Sequence, residues 1–153
     1  MPLDQCKTVF RQLMLAVGYM HARGTVHRDL KLDNILIDAA TKKIKIIDFG
    51  FSLNSKPQQK LDSYCGTPHY MCPDIVRKQP YSGFAADIWA CGVILYILLA
   101  GKLPFFAEFE ADLYRKIATG KYRPLEGDQQ IKSLFGQIFT PNSKQRATAD
   151  DVS

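Results

Sequence analysis

At 153 residues, 46% hydrophobic and 23% charged, the chain has the size and composition of one ordinary globular domain able to bury a core. Its net charge of +5 is mild, and its charges run singly or in pairs such as Lys42-Lys43 and Asp150-Asp151. This argues against a nucleic-acid binder but leaves room for an anionic ligand such as a nucleotide. The four cysteines, Cys6, Cys65, Cys72 and Cys91, lack CxxC spacing and read as reduced thiols rather than a disulfide framework or a zinc site.

In chain order, the first segment (about residues 4–22) repeats apolar side chains at helical spacing: Val9, Phe10, Leu13, Ala16, Val17 and Met20. Asp4 is the expected N-cap, and Gly24 follows the end. Met1-Pro2-Leu3-Asp4 has no basic run leading into an apolar one, so no secretory signal is expected. From His27 to Asn34 the chain is too rich in ionisable groups to be core. Ile35-Leu36-Ile37 and the stretch from Ile44 to Ile47 are short β-branched runs joined by a polar turn, which predicts a hairpin. Residues 48–80 are irregular and rich in Ser, Gln, Pro and Gly, a length expected only of a functional or disordered loop.

Helices are predicted over about residues 84–100, 107–119 and 129–139, with a further start at Thr148, where Asp151 completes a capping-box pattern. The apolar run IWACGVILYILLAG (residues 88–101) is shorter than the ~20 residues a bilayer span requires, and predicts a helix buried on all sides. No membrane association is expected, and the chain reads as a soluble protein of the cytoplasm or the nucleus.

Three clusters carry chemistry: HRDLKLDN (27–34), DFG (48–50) directly after a strand, and GTPHYMCPD (66–74) followed by DIWACG (87–92). Phosphoryl transfer requires a carboxylate for the attacking hydroxyl, oxygen ligands for Mg²⁺ and a cation near the transferring group. Asp29, Lys31 and Asn34 can supply these from one loop, and Asp48 can add a second oxygen ligand, because the hairpin between Asn34 and Asp48 returns the chain to the same place.

In this order the motifs resemble the catalytic loop, metal-binding loop, activation segment and central helix of eukaryotic protein kinases, over almost the whole chain. The resemblance implies a mainly α fold with a small β-hairpin, the C-lobe of the kinase domain, and transfer of the ATP γ-phosphate to protein Ser or Thr hydroxyls with Mg²⁺. It implies Asp29 as the catalytic base, Lys31 as the cation at the γ-phosphate, and Asn34 and Asp48 as Mg²⁺ ligands. Leu36 becomes the floor of the adenine pocket. Lys31 two residues after Asp29, with Thr67 placed against the catalytic loop, marks the serine/threonine type. Arg28 marks a kinase switched by activation-loop phosphorylation, with Ser63 in KLDSYCG the expected acceptor. That stretch is most similar to the calcium/calmodulin- and AMP-activated-like group, particularly its microtubule-affinity-regulating branch.

Structural roles are also implied. His27 is expected to pack on Phe49, Asp87 to anchor the catalytic-loop backbone, and Trp89, Leu95 and Leu98 to be core. Asp74 is expected to pair with Arg146, although Cys72-Pro73-Asp74 stands where the family has Ala-Pro-Glu. Asp33 and Asp38 are expected to be solvated or turn residues. No Gly-rich loop, strand lysine or adenine-binding hinge occurs in the sequence. The reading is therefore a partial kinase domain over 1–153, its N-lobe absent and its last helix cut short at Ser153, with apolar surface on the helix from Val9 to Met20 and around Leu36 left uncovered. Three possibilities stay open: a piece of an active kinase whose missing lobe is encoded upstream, a catalytically inactive kinase-like binding or scaffold protein, and a chain that takes an N-lobe in trans.

Overall fold

The computed structural model describes residues 1–153. Helix α1 (Leu3–Ala22) turns Cys6, Val9, Phe10, Leu13, Met14 and Val17 to one buried face. Pro2, not Asp4, occupies the N-cap; Asp4 lies in the first turn, where a carboxylate favours the helix dipole. The α1 face expected to be uncovered is buried against later helices, and the large apolar groups that α1 does expose are Leu3, Leu15 and Tyr19. Strand β1 (Thr25–Val26) follows, then a 3-10 turn (Leu32–Asn34). Strands β2 (Ile35–Ile37) and β3 (Ile44–Ile46) form the predicted antiparallel hairpin, with Ile35 opposite Ile46. Its turn is built on Asp38, whose carboxylate accepts from the Ala40 and Thr41 amides and the Thr41 hydroxyl.

The irregular region is tied down at several points. Strand β4 (Leu53–Asn54) pairs antiparallel with β1. A 3-10 turn (Pro68–Tyr70) and the short helix α2 (Pro73–Val76) follow, with Pro73 in the first turn, where its missing N–H costs nothing.

Helix α3 (Gly83–Ala100) is the predicted core helix: Ser82 caps it by accepting from the Ala85 amide, and every residue from Ala86 to Tyr96 is buried. Leu98, near its end, is only half-buried. Gly101 ends the helix in the left-handed region at φ +69°, which glycine adopts without penalty. Helices α4 (Glu110–Thr119), α5 (Gln129–Ile138) and α6 (Ala149–Val152) complete the chain. The capping box at Thr148 forms in full, each partner bonding the other's backbone.

α3 runs through the centre: α1 lies against it on one side, α5 on another, and α6 packs on α1. α5 approaches closely because position 92 is glycine, where a Cβ would stand 2.3 Å from Ile138 Cγ2. Trp89 stacks on Phe105 (5.5 Å) and meets the edge of Phe139 (5.0 Å), while the Arg146 guanidinium lies 4.9 Å over its ring. Arg146 donates to the carbonyls of Ala85, Thr140 and Pro141, so its charge is met by backbone oxygens. Burial holds its pKa below the usual arginine value. The expected ion pair with Asp74 does not form: the salt bridges are His21–Asp87, Lys31–Asp29 and Arg115–Asp112. Aspartate is one methylene shorter than the usual glutamate, and the carbonyl cage has already claimed the guanidinium.

Candidate functional site

The candidate site is the loop between β1 and β2, held from below by α3. Asp87 sits on α3 and is buried; its Oδ2 accepts from the His27 amide and its Oδ1 from the Arg28 amide, both at 2.9 Å. His21, at the end of α1, adds a third contact, Nε2 to Oδ2 at 2.8 Å. These bonds hold Arg28 at φ +69°, a left-handed conformation that costs a non-glycine residue about 1 kcal/mol or more. One buried carboxylate thus fixes the loop that precedes Asp29.

His27 is buried, with its ring 4.9 Å from that of Phe49 in an edge contact, as expected. Its Nδ1 accepts from the Asp29 amide at 3.2 Å, which leaves Nε2 to donate to the Ile47 carbonyl at 3.0 Å. This pattern selects the Nε2–H tautomer and joins the loop to the segment that carries Asp48.

Asp29, Lys31 and Thr67 converge. The Thr67 hydroxyl donates to Asp29 Oδ1 (3.0 Å) and accepts from Lys31 Nζ (3.1 Å), and Lys31 Nζ lies 3.7 Å from Asp29 Oδ2. Asn34 is buried, and its side-chain amide donates to the Asp29 carbonyl at 2.8 Å. Below the Thr67 turn, the Tyr70 hydroxyl accepts from the Leu32 amide, and burial raises its pKa so that the phenol stays protonated.

Asp48 is exposed, at φ +60°, with its Oδ1 accepting from the Gly50 amide. The hairpin ladder runs on past β3, with the Ile47 amide bonding the Asn34 carbonyl at 2.9 Å, so Asp48 follows directly on the residue paired with Asn34. An amide oxygen and a carboxylate at the ends of two paired strands are hard donors of the kind Mg²⁺ takes, its remaining positions going to water and phosphate. Leu36 on β2, opposite Lys45, is 51% exposed.

Arg28 reaches the other way. Its Nε donates to the Phe51 carbonyl (2.7 Å) and its Nη1 to the Ser63 hydroxyl (2.7 Å) and carbonyl (3.2 Å). Tyr81 supports the same corner by donating to the Ser63 carbonyl at 2.9 Å; burial raises its pKa and keeps that proton in place.

Comparison with known proteins bears directly on this arrangement. The protein kinase domain family matches residues 1–153. The chain belongs to the protein kinase family. It is 43% identical over 153 residues to CBL-interacting protein kinase 3 of Oryza sativa subsp. japonica, covering 97% of the chain and 34% of that protein. It is 41% identical over 150 residues to sperm motility kinase 2B of Mus musculus, covering 97% of the chain and 31% of that protein. CBL-interacting serine/threonine-protein kinase 20 of Arabidopsis thaliana is 41% identical over 147 residues, covering 94% of the chain and 33% of that protein. The kinase chain therefore spans about a third of the length of these relatives, and its similarity lies with serine/threonine kinases of the calcium/calmodulin- and AMP-activated-like group.

Within this kinase chain, Asp29, Lys31, Asn34 and Thr67 form one bonded cluster, with Asp48 beside it through the ladder. Arg28 and Ser63 meet on another side, and Leu36 stands apart on the open face. Two contributors were not foreseen from sequence. His21 completes the Asp87 anchor from 66 positions away, and Tyr81 props Ser63 from 18 positions away. Separations of that size leave no periodic signal.

Proposed function

We propose that residues 1–153 form the C-lobe of a serine/threonine protein kinase that transfers the γ-phosphoryl group of ATP to serine or threonine hydroxyls on protein substrates. The observation that carries this reading is the Asp29–Thr67–Lys31 cluster on a backbone clamped by Asp87. Asp29 orients the acceptor hydroxyl and takes its proton, Lys31 meets the γ-phosphate, and Thr67 holds the two in register. Asn34 and Asp48 would hold Mg²⁺, which when bound neutralises charge on the transferring phosphoryl group, and Leu36 floors the adenine site. Arg28 with Ser63 is the regulatory corner: a phosphate on Ser63 lies within reach of a guanidinium already in place.

The chain holds no Gly-rich loop, strand lysine or hinge, so the cleft needs a second lobe, supplied in the same polypeptide or in trans, to exclude water and complete the phosphate donors. The exposure of Leu36, Ile37, Phe49 and Phe51 along this edge supports that need. The same exposure favours a second reading, a catalytically inactive kinase-like binding or scaffold protein. The cytoplasm, or the nucleus, is the proposed location.

Labelled-phosphate transfer from Mg·ATP to a mixed serine/threonine peptide set tests the proposal, with Asp29→Asn and Asp48→Ala as controls. Transfer by the wild type, reduced at least about 10²-fold in each variant, is the expected result once a kinase N-lobe is present. Silence of all three with the second lobe present would leave the binding protein as the reading.

A further inference from the structure

The hairpin of β2 and β3 pairs over a few residues, and a two-stranded ribbon of that length has little stability of its own in water. Its placement therefore depends on what ties it to the rest of the chain. Side-chain hydrogen bonds do this at two places. Near the candidate site, His27 Nε2 donates to the Ile47 carbonyl. At the turn end, Gln12 on α1 grips β3 with both polar atoms of its amide. Its Nε2 donates to the Lys42 carbonyl at 3.0 Å, and its Oε1 accepts from the Ile44 amide at 3.2 Å.

The residue type fits this task. A primary amide carries a donor and an acceptor on one planar group, matching a carbonyl at residue 42 and an N–H at residue 44. A carboxylate could make the second bond alone, and a leucine of similar size neither. The Lys42 carbonyl belongs to a residue at φ +57°, a left-handed conformation that is strained for a lysine and persists where the surroundings determine it. The Asp38 carboxylate is committed to Ala40 and Thr41, so the turn orders itself, and Gln12 fixes where it lies.

The other end of the hairpin is the candidate metal corner. Ile35 opposes Ile46, the Ile47 amide bonds the Asn34 carbonyl, and Asp48 follows. The Asn34 side chain is anchored independently of β3, by its bond to the Asp29 carbonyl. Asp48 is exposed, and its carboxylate bonds nothing beyond the Gly50 amide of its own turn. Its position is set by the strand that carries it. One side-chain bond at Ile47 leaves that strand free to tilt, and the two bonds from Gln12 remove the freedom. We propose that Gln12 is a positioning residue for the divalent cation: by fixing the tilt of β3 on α1, it sets how far the Asp48 carboxylate stands from the Asn34 side-chain oxygen. The inference rests on the proposed assignment of Asn34 and Asp48 as metal ligands, and adds the group that holds them in register without touching metal or nucleotide.

The test is a Mn²⁺ titration of the full chain, read by NMR as paramagnetic broadening of the Asn34 side-chain amide; Mn²⁺ takes the same oxygen donors as Mg²⁺. Gln12→Leu is expected to raise the Mn²⁺ needed for half the broadening about tenfold, the size of effect that groups orienting metal ligands carry. Gln12→Glu, which keeps the bond from Ile44, should raise it less, and Asp48→Ala, which removes a ligand, at least as much. Hydrogen exchange supplies a second readout. Gln12→Leu should speed exchange at the Ile47 amide as well as at Ile44, because the tilt reaches the bond to Asn34. Thr148→Ala separates positioning from stability: it removes the cap of α6, so it should lower the melting temperature and leave Mn²⁺ binding unchanged. Wild-type broadening that Gln12→Leu does not shift overturns the proposal and leaves the metal site standing. An equal shift from Thr148→Ala also overturns it, by making the loss one of general stability. Absence of broadening in the wild type overturns the metal assignment and the proposal together.

Discussion

Around Trp89, stacked rings, a caged guanidinium and a missing glycine side chain leave no room for an added methyl group. Around Asp48 the chain lies open to solvent, and Leu36, Ile37, Phe49 and Phe51 stand half open. Two residues there, Arg28 and Asp48, sit at positive φ without being glycine. The packed helix has no residue at positive φ before its capping Gly101, while the candidate-site edge is locally strained. Asp87 joins them: it belongs to the core helix, and its carboxylate is spent on the strained loop. The difference teaches where this chain keeps its stability and where it uses it.

Trp89→Ala attacks the packed side directly. It removes the ring that Phe105, Phe139 and Arg146 share, and should destabilise the protein by about 4 kcal/mol in urea denaturation. Asp87→Ala attacks the bridge. It leaves the His27 and Arg28 amides without acceptors and should cost about 3 kcal/mol, with faster hydrogen exchange at those two amides ahead of global unfolding. If exchange at residues 27 and 28 rises no more than at α3, the loop is held by something other than this carboxylate. Gly92→Ala sharpens the comparison at a single methyl: against Ile138 it should cost about 2 kcal/mol, and a neutral result would mean that α5 yields more readily than the packing implies.

The smallest effect lies at the periphery. Bonds from the Thr41 amide and hydroxyl hold the Asp38 carboxyl below the ordinary aspartate value, and bonds from the Thr148 amide and hydroxyl do the same for Asp151. A depressed folded-state pKa means that the unfolded chain binds the proton more readily. Both groups therefore stabilise the fold above the ordinary aspartate range and lose that contribution as pH falls through their folded values. Asp38→Asn/Asp151→Asn should be less stable than wild type at neutral pH and lose less between about pH 5 and pH 2. Parallel acid profiles for the two proteins would show that neither turn contributes through ionisation.

Much of this was legible in the residues because the signals are local. The hairpin from Ile35 to Ile46, the buried run after Asp87 and the Thr148–Asp151 box each follow from spacing within one element. The cluster of Asp29, Asn34 and Thr67 was legible through motif resemblance, and the folded loop brings these side chains together. What was not legible depends on reach. Asp74 matched the position of an ion-pair partner, but Arg146 found carbonyls instead. The apolar face of α1 was expected to lie open for want of the missing lobe, but α3 and α6, from much further along the chain, cover it. The helix expected from residue 107 starts at Glu110 because Phe109 is extended, at φ −110° and ψ 140°, which leaves its ring outside the fold.

One feature of the long irregular segment bears on how such a chain can change. The Ser55 amide is tied to the Gly24 carbonyl at 2.7 Å, and Leu61 exchanges two backbone bonds with Tyr81 at 2.8 and 3.0 Å. Between these moorings, residues 56–60 are all exposed. The span is a tethered arch whose feet are fixed independently of its length. Lengthening it should raise the closure cost by only about 0.6 kcal/mol per doubling. Sequence drift, insertions and proteolytic nicks can accumulate at its crown while Arg28 keeps its hold on Phe51 and Ser63.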